Sequence, residues 1–297
     1  MPKPIPPPRE EGFTTTTGSP LYWAKYGRGN APKLLVLHGG PGADHSYMLP
    51  QMLHLGERYD LLFYDQRGGG RSKSGARVPI TWRTHIEDLG AVVTEFGLEP
   101  LSIVGYSWGA MLALLYTIEQ RRNPHLVPPA RLALINPAPL TREYRRQFEA
   151  EFAHRQQSPE IQKMREDLAK SGLRENDPAV YRQRAFELSV AGYFSDPKKA
   201  RDLTPFRVVG RVQQSVWESL GDFDLIGDLE GIKIPSIVIS GCDDPIPLAS
   251  SVEAARSLGT NLVVLDDCGH VPYVEQPERL FLALDTFLDE TNPAVRS

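Results

Sequence analysis

With 297 residues, 41% hydrophobic and 24% charged, the chain has the make-up of a folded globular protein large enough for a substantial core, which excludes disorder. A net charge of −4 excludes the basic footprint that a phosphate backbone demands, so no nucleic acid is an expected partner. No stretch approaches the ~20 apolar residues of a membrane span, the amino terminus lacks an apolar signal core, and two cysteines are too few for a disulfide framework, so the expected setting is cytoplasmic.

Residues 1–20 are rich in Pro and Thr and are expected to form an extended surface arm. Apolar runs at Lys33–Leu37 and Asp60–Tyr64 predict buried strands, as do Leu101–Val104 and Arg131–Ile135. Between them, Thr84–Phe96 has helical spacing, and Ala110–Gln120 is apolar nearly all round, the pattern of a helix buried on a sheet. Such alternation predicts a mainly parallel sheet with right-handed crossovers. The character changes after Pro137-Ala138-Pro139, because 141–224 is rich in Arg, Glu and Gln, has helical periodicity and contains no convincing strand. Strand patterns resume at Ile234–Ile239 and Asn261–Leu265, and a helix over Pro277–Asp289 closes the chain. The expected organisation is an α/β core of residues 1–138 and 228–297, interrupted by a helical cap over 139–227.

Gly105-Tyr106-Ser107-Trp108-Gly109 lies between a predicted strand and a predicted buried helix, the context a G-x-S-x-G nucleophile elbow requires. The turn forces the serine into strained geometry, and flanking glycines let the backbone pass without Cβ clashes. A serine hydroxyl needs a base to take its proton and a carboxylate to orient that base. Ser107, then Asp243 or Asp244, then His270 supply these groups in the chain order expected for such a fold, each at the carboxyl end of a predicted strand. Two backbone donors must also face the developing oxyanion: the N–H of Trp108 and, from the early glycine run His38-Gly39-Gly40-Pro41-Gly42, that of Gly40.

Three motifs together, the His38–Gly42 run, Asp65-Gln66-Arg67-Gly68-Gly69-Gly70-Arg71-Ser72 and the Ser107 elbow, resemble the prolyl iminopeptidase family of α/β-hydrolases. The likeness covers residues 20–138 and 228–290. It implies an α/β-hydrolase fold, a mostly parallel sheet flanked by helices with an inserted helical cap, and an enzyme that releases an N-terminal residue, often proline, from small peptides. By the same resemblance the triad acid is Asp244, three residues after Gly241, and Arg67 belongs to a structural loop. Cap glutamates of that family hold the substrate amine; here the corresponding position carries Val190. Glu187 and Glu218, with Gly39 in the glycine run, are therefore the candidate substrate-contacting residues.

An ester- or lactone-cleaving enzyme uses the same acyl chemistry, and a non-catalytic hydrolase-fold binding protein is the alternative of another class. No cofactor or metal is expected. His38 and His45 belong to a glycine loop without a His-Glu-x-x-His pattern, and no Gly-Lys-Ser/Thr follows Gly68-Gly69-Gly70. Cys242 and Cys268, each after a strand, are expected to be free thiols rather than a disulfide.

Overall fold

A computed structural model describes residues 4–75 and 79–290. Residues 1–3 of the expected arm and 291–297 of the expected core lie outside the described residues. Eight strands form one sheet: β1 (Glu10–Phe13), β2 (Tyr22–Gly27), β3 (Lys33–Leu37), β4 (Asp60–Tyr64), β5 (Leu101–Tyr106), β6 (Pro129–Ile135), β7 (Ser236–Gly241) and β8 (Asn261–Leu265), in the order β1-β2-β4-β3-β5-β6-β7-β8. β1 and β2 run antiparallel to their neighbours, and every other pairing is parallel.

The central strands are buried at nearly every position, as continuous apolar runs require when helices cover both faces. Helix α1 (Trp82–Glu95) starts at a capping box between Thr81 and Thr84 and buries Ile86, Leu89, Val92 and Val93 on one face. Helix α2 (Trp108–Gln120) is buried from Trp108 to Ile118, as its all-round apolar sequence predicts.

The expected extended surface arm is in part a strand of the sheet. Residues 10–13 are the sheet edge, with Glu10 paired to Lys25 and Phe13 to Tyr22, and Thr14 is buried. Glu-Glu-Gly-Phe carries no strand pattern of its own; the unpaired backbone of β2 recruits it.

Between β6 and β7 the chain forms α3 (Arg142–Gln156), α4 (Pro159–Lys170), α5 (Leu173–Asn176), α6 (Pro178–Val190), α7 (Gly210–Leu220) and α8 (Ile226–Leu229). Side chains of Thr141, Ser158 and Asp177 cap α3, α4 and α6, the last two with proline in the first turn. This excursion leaves and returns at one neck, where Thr141 bridges Asp224, Arg142 N–H donates to Phe223 O (2.9 Å) and Leu225 N–H to Leu140 O (3.0 Å). It shares the apolar clusters of the sheet layers: Val212 and Val216 join one, Val190, Phe194 and Leu203 the other. After β7 come α9 (Leu248–Leu258), α10 (Pro272–Glu275) and α11 (Pro277–Glu290).

Candidate active site

Ser107 sits between β5 and α2 at φ 54°, ψ −118°, a left-handed backbone that a non-glycine residue holds only when its surroundings impose it. A Cβ on Gly105 would come within 2.6 Å of Ala110 Cα, and one on Gly109 within 2.3 Å of Leu37 O. Both glycines are therefore steric requirements of the turn. Ser107 N–H donates to Ile135 O, and Ser107 O accepts from Ala110, Met111 and Ala138 N–H.

The His270 loop and the Asp244 loop meet this turn. Ser107 Oγ lies 2.9 Å from His270 Nε2, and His270 Nδ1 lies 2.8 Å from Asp244 Oδ2. Since the carboxylate only accepts, Nδ1 carries the ring proton and Nε2 is free to take one from the serine. Asp244 Oδ1 accepts from Ile246 N–H, whereas Asp243 Oδ2 accepts from Ser195 Oγ and makes no contact with the imidazole. Tyr106 donates its hydroxyl to His270 O at 2.9 Å, and His270 N–H donates to Tyr193 O at 2.7 Å.

Two further residues, missed from sequence, hold this arrangement. Asn136, buried at the end of β6 with φ 41°, donates from Nδ2 to Asp244 Oδ2 (2.5 Å) and to Gly269 O (3.0 Å). The only sequence signal was its place at a strand's carboxyl end. Glu275, also buried, accepts from Gly269 N–H and Ser195 N–H at 2.8 Å each, joining the His270 loop to the helical excursion. Burial pushes its carboxyl up to about 7, against the pull of those two donors and the Lys199 ammonium.

Gly40 takes φ +58° and lines the cavity beside Ser107, and Trp108 opens α2. Among the described residues neither N–H has an acceptor inside the protein, which leaves both for a ligand. Their loops are tied together by Gln66, whose Nε2 donates to His38 O (2.8 Å) and whose Oε1 accepts from Trp108 Nε1 (2.9 Å). His38 is fixed as the Nδ1–H tautomer, because its Nε2 accepts from Gln66 N–H (3.0 Å) while Nδ1 donates to Gly39 O (2.7 Å). Burial holds this imidazole below its usual pKa, hence neutral. Arg67 pairs with Asp88 through Nε at 2.8 Å and a second guanidinium nitrogen, and is absent from the cavity wall.

A cavity of about 380 Å³ opens over Ser107 and His270, lined by Tyr106, Phe152, Phe186, Val190, Tyr193 and Phe206, among others. Among the described residues no Asp, Glu, Lys or Arg belongs to its wall. The two cap glutamates are elsewhere. Glu187 is buried against its own helix, accepting from Gln183 Nε2 (3.2 Å) and Arg184 Nη1 (2.8 Å). Glu218 accepts from Gln214 and faces a separate surface cleft with Arg145 and Trp217. Gly39 packs under the site: a Cβ there would lie 2.7 Å from Ser107 Cβ. Cys242 is exposed, Cys268 is buried, and both thiols are free.

Strand order, parallel core and a serine on a sharp strand-to-helix turn define an α/β-hydrolase. The sequence profile of the alpha/beta hydrolase family matches residues 34–284, and the chain belongs to that family. Among its relatives are the proline iminopeptidase of Heyndrickxia coagulans, 24% identical with 94% of this chain and 98% of the relative covered, and that of Clostridium botulinum, 26% identical with 89% and 92% covered. A proline iminopeptidase-related protein from Thermus thermophilus superposes with a TM-score of 0.72 at 24% identity, covering 96% of this chain and 99% of that one. The enol-lactonase of Burkholderia xenovorans does so at 0.65 and 22% identity, covering 93% and 99%. No helix among the described residues is long and apolar enough to cross a membrane.

Proposed function

We propose that this hydrolase is a serine enzyme that cleaves uncharged esters or amides with an apolar acyl group, through an acyl-enzyme on Ser107. His270 Nε2 takes the Ser107 proton as Oγ attacks the carbonyl carbon, and Asp244 holds the imidazole in the tautomer that permits it. The N–H groups of Gly40 and Trp108 receive the oxyanion. His270 then protonates the leaving group, and a water deprotonated by the same imidazole releases the acid. Residues 139–227 act as a cap over this chemistry, and the enzyme works in the cytoplasm.

The observation that carries the substrate class is the uncharged, aromatic wall above Ser107. A substrate ammonium enclosed there would have no carboxylate partner, a deficit of several kcal/mol. Apolar acyl chains gain about 25 cal/mol per Å² buried on the same surface. A second reading, release of N-terminal proline, is favoured by similarity to proline iminopeptidases over nearly the whole chain. Comparing kcat/KM for neutral p-nitrophenyl acyl esters and N-acyl anilides against prolyl-naphthylamide separates the two. The proposal requires preference for the neutral substrates; turnover of prolyl-naphthylamide alone would replace it with the second reading.

A further inference from the structure

Tyr47 stands on a 3-10 turn (His45–Met48) after the glycine run, and its side chain is buried in the wall of the Ser107 cavity. Its ring is clamped between Phe206, with centroids 4.3 Å apart, and Tyr106, at 6.1 Å. The phenol oxygen accepts a hydrogen bond from Gly39 N–H at 2.7 Å. It lies 2.9 Å from the point where a Cβ on Gly39 would sit, and Ser107 Cβ lies 2.7 Å from that same point. The hydroxyl and the nucleophile thus flank one small volume of space.

A phenol that accepts one hydrogen bond still has a proton to donate. No protein acceptor takes that proton among the described residues, although the group is buried. The same cavity wall holds Ser107, Gly40 and His270.

We propose that Tyr47 is a third oxyanion donor, its O–H hydrogen-bonding the same substrate oxygen as the N–H groups of Gly40 and Trp108. This rests on Ser107 being the nucleophile. Accepting from Gly39 N–H polarises the phenol, so a chain N–H···O–H···O⁻ strengthens as negative charge builds on the substrate oxygen. The proton stays on Tyr47 throughout, because burial holds the phenol far above its usual pKa. The added interaction is thus stronger in the transition state than with the bound substrate, and the difference acts on kcat.

Tyr47→Phe keeps the ring packing and removes only the hydroxyl. We expect kcat to fall by about 100-fold with KM within about two-fold, the lower end of the ~10²–10³ that loss of one oxyanion donor costs. The inhibition constant of an alkyl boronic acid, which forms a tetrahedral anion on Ser107, should rise by a similar factor, whereas that of the matching alkyl alcohol should not move. A merely structural tyrosine would shift both together. If Tyr47→Phe does not fold, 3-fluorotyrosine at position 47 keeps the acceptor for Gly39 and changes donor strength alone, so kcat must still change. An unchanged kcat in either variant, or equal losses for boronate and alcohol, overturns the proposal. Turnover persisting in Ser107→Ala would instead overturn the serine mechanism on which it rests.

Discussion

Asn136 Nδ2 lies 2.5 Å from Asp244 Oδ2, so the carboxylate that faces His270 is also held by a buried amide at the carboxyl end of the neighbouring parallel strand β6. The same amide nitrogen holds Gly269 O, and one side chain thereby fixes both loops that carry Asp244 and His270. Asn136 adopts φ 41° to do so. Asn136→Gly relieves the backbone while deleting both hydrogen bonds, which separates strain from positioning. Expected is a kcat loss of about ten-fold, equivalent to ~1.4 kcal/mol and close to the ~1.5 kcal/mol lower limit for a hydrogen bond to a charged group. Steady-state kinetics checks it, with Asn136→Asp, which adds a charge beside Asp244, falling further.

Glu275 gives stability a pH dependence of definite sign. Its folded-state pKa, about 7, is above the 4.5 of the free group, so the folded protein keeps a proton that the unfolded chain has already lost between those values. Its contribution is therefore most favourable below pH 4.5 and declines as pH rises toward 7. Glu275→Gln lacks this titration but can satisfy only one of the two N–H donors, because its amide offers one acceptor atom. In urea unfolding, the margin of the wild type over the variant should be larger at about pH 5 than at about pH 8, by about 2–3 kcal/mol at ~1.4 kcal/mol per pKa unit. A gap that widens with pH contradicts this.

Gly39→Ala should be severe. The new methyl would meet Ser107 Cβ at 2.7 Å, the Tyr47 hydroxyl at 2.9 Å and Tyr106 O at 3.1 Å, none of them the end of a flexible chain. Overpacking of this kind costs about 1–3 kcal/mol, and any relief moves Ser107. Activity should drop by about 100-fold or more, since misplacement of a reacting group by an ångström is enough for that; thermal unfolding and kcat measured together check it.

Val190 lines the cavity and is 6% exposed, at the end of α6. Val190→Glu places a carboxylate on a wall that has none, giving a substrate ammonium its partner. The ratio of kcat/KM for an aminoacyl arylamide to that for a neutral acyl ester should rise by about ten-fold or more, the scale of one partly buried ion pair. An unchanged ratio would mean that the cavity charge does not select the substrate.

The Ser107, His270 and Asp244 arrangement was legible because its signals are local. The glycines around Ser107 are there for steric reasons that a short motif encodes, and His270 lies in a polar loop between a strand and a helix. Asn136 was hidden, since Asn-Pro-Ala-Pro reads as an ordinary loop and its partner lies 108 residues away. Glu275 and Tyr47 likewise act through contacts made only by the fold. For the cap glutamates, spacing names a helix face but not what the face meets. Even so, Arg184 and Gln183, three and four residues before Glu187, are the neighbours that a helical carboxylate pairs with first. β1 escaped because an edge strand's order comes from its neighbour's unpaired backbone rather than its own side chains.

The central claim, that Ser107 is the nucleophile under His270 and Asp244, is tested most directly by trapping the acyl-enzyme. Quenching a neutral acyl ester reaction with acid during its first turnovers, followed by peptide mass mapping, should find the acyl mass on Ser107. Ser107→Ala should show neither adduct nor turnover. Turnover in Ser107→Ala, or an acyl group carried by another residue, would contradict the account.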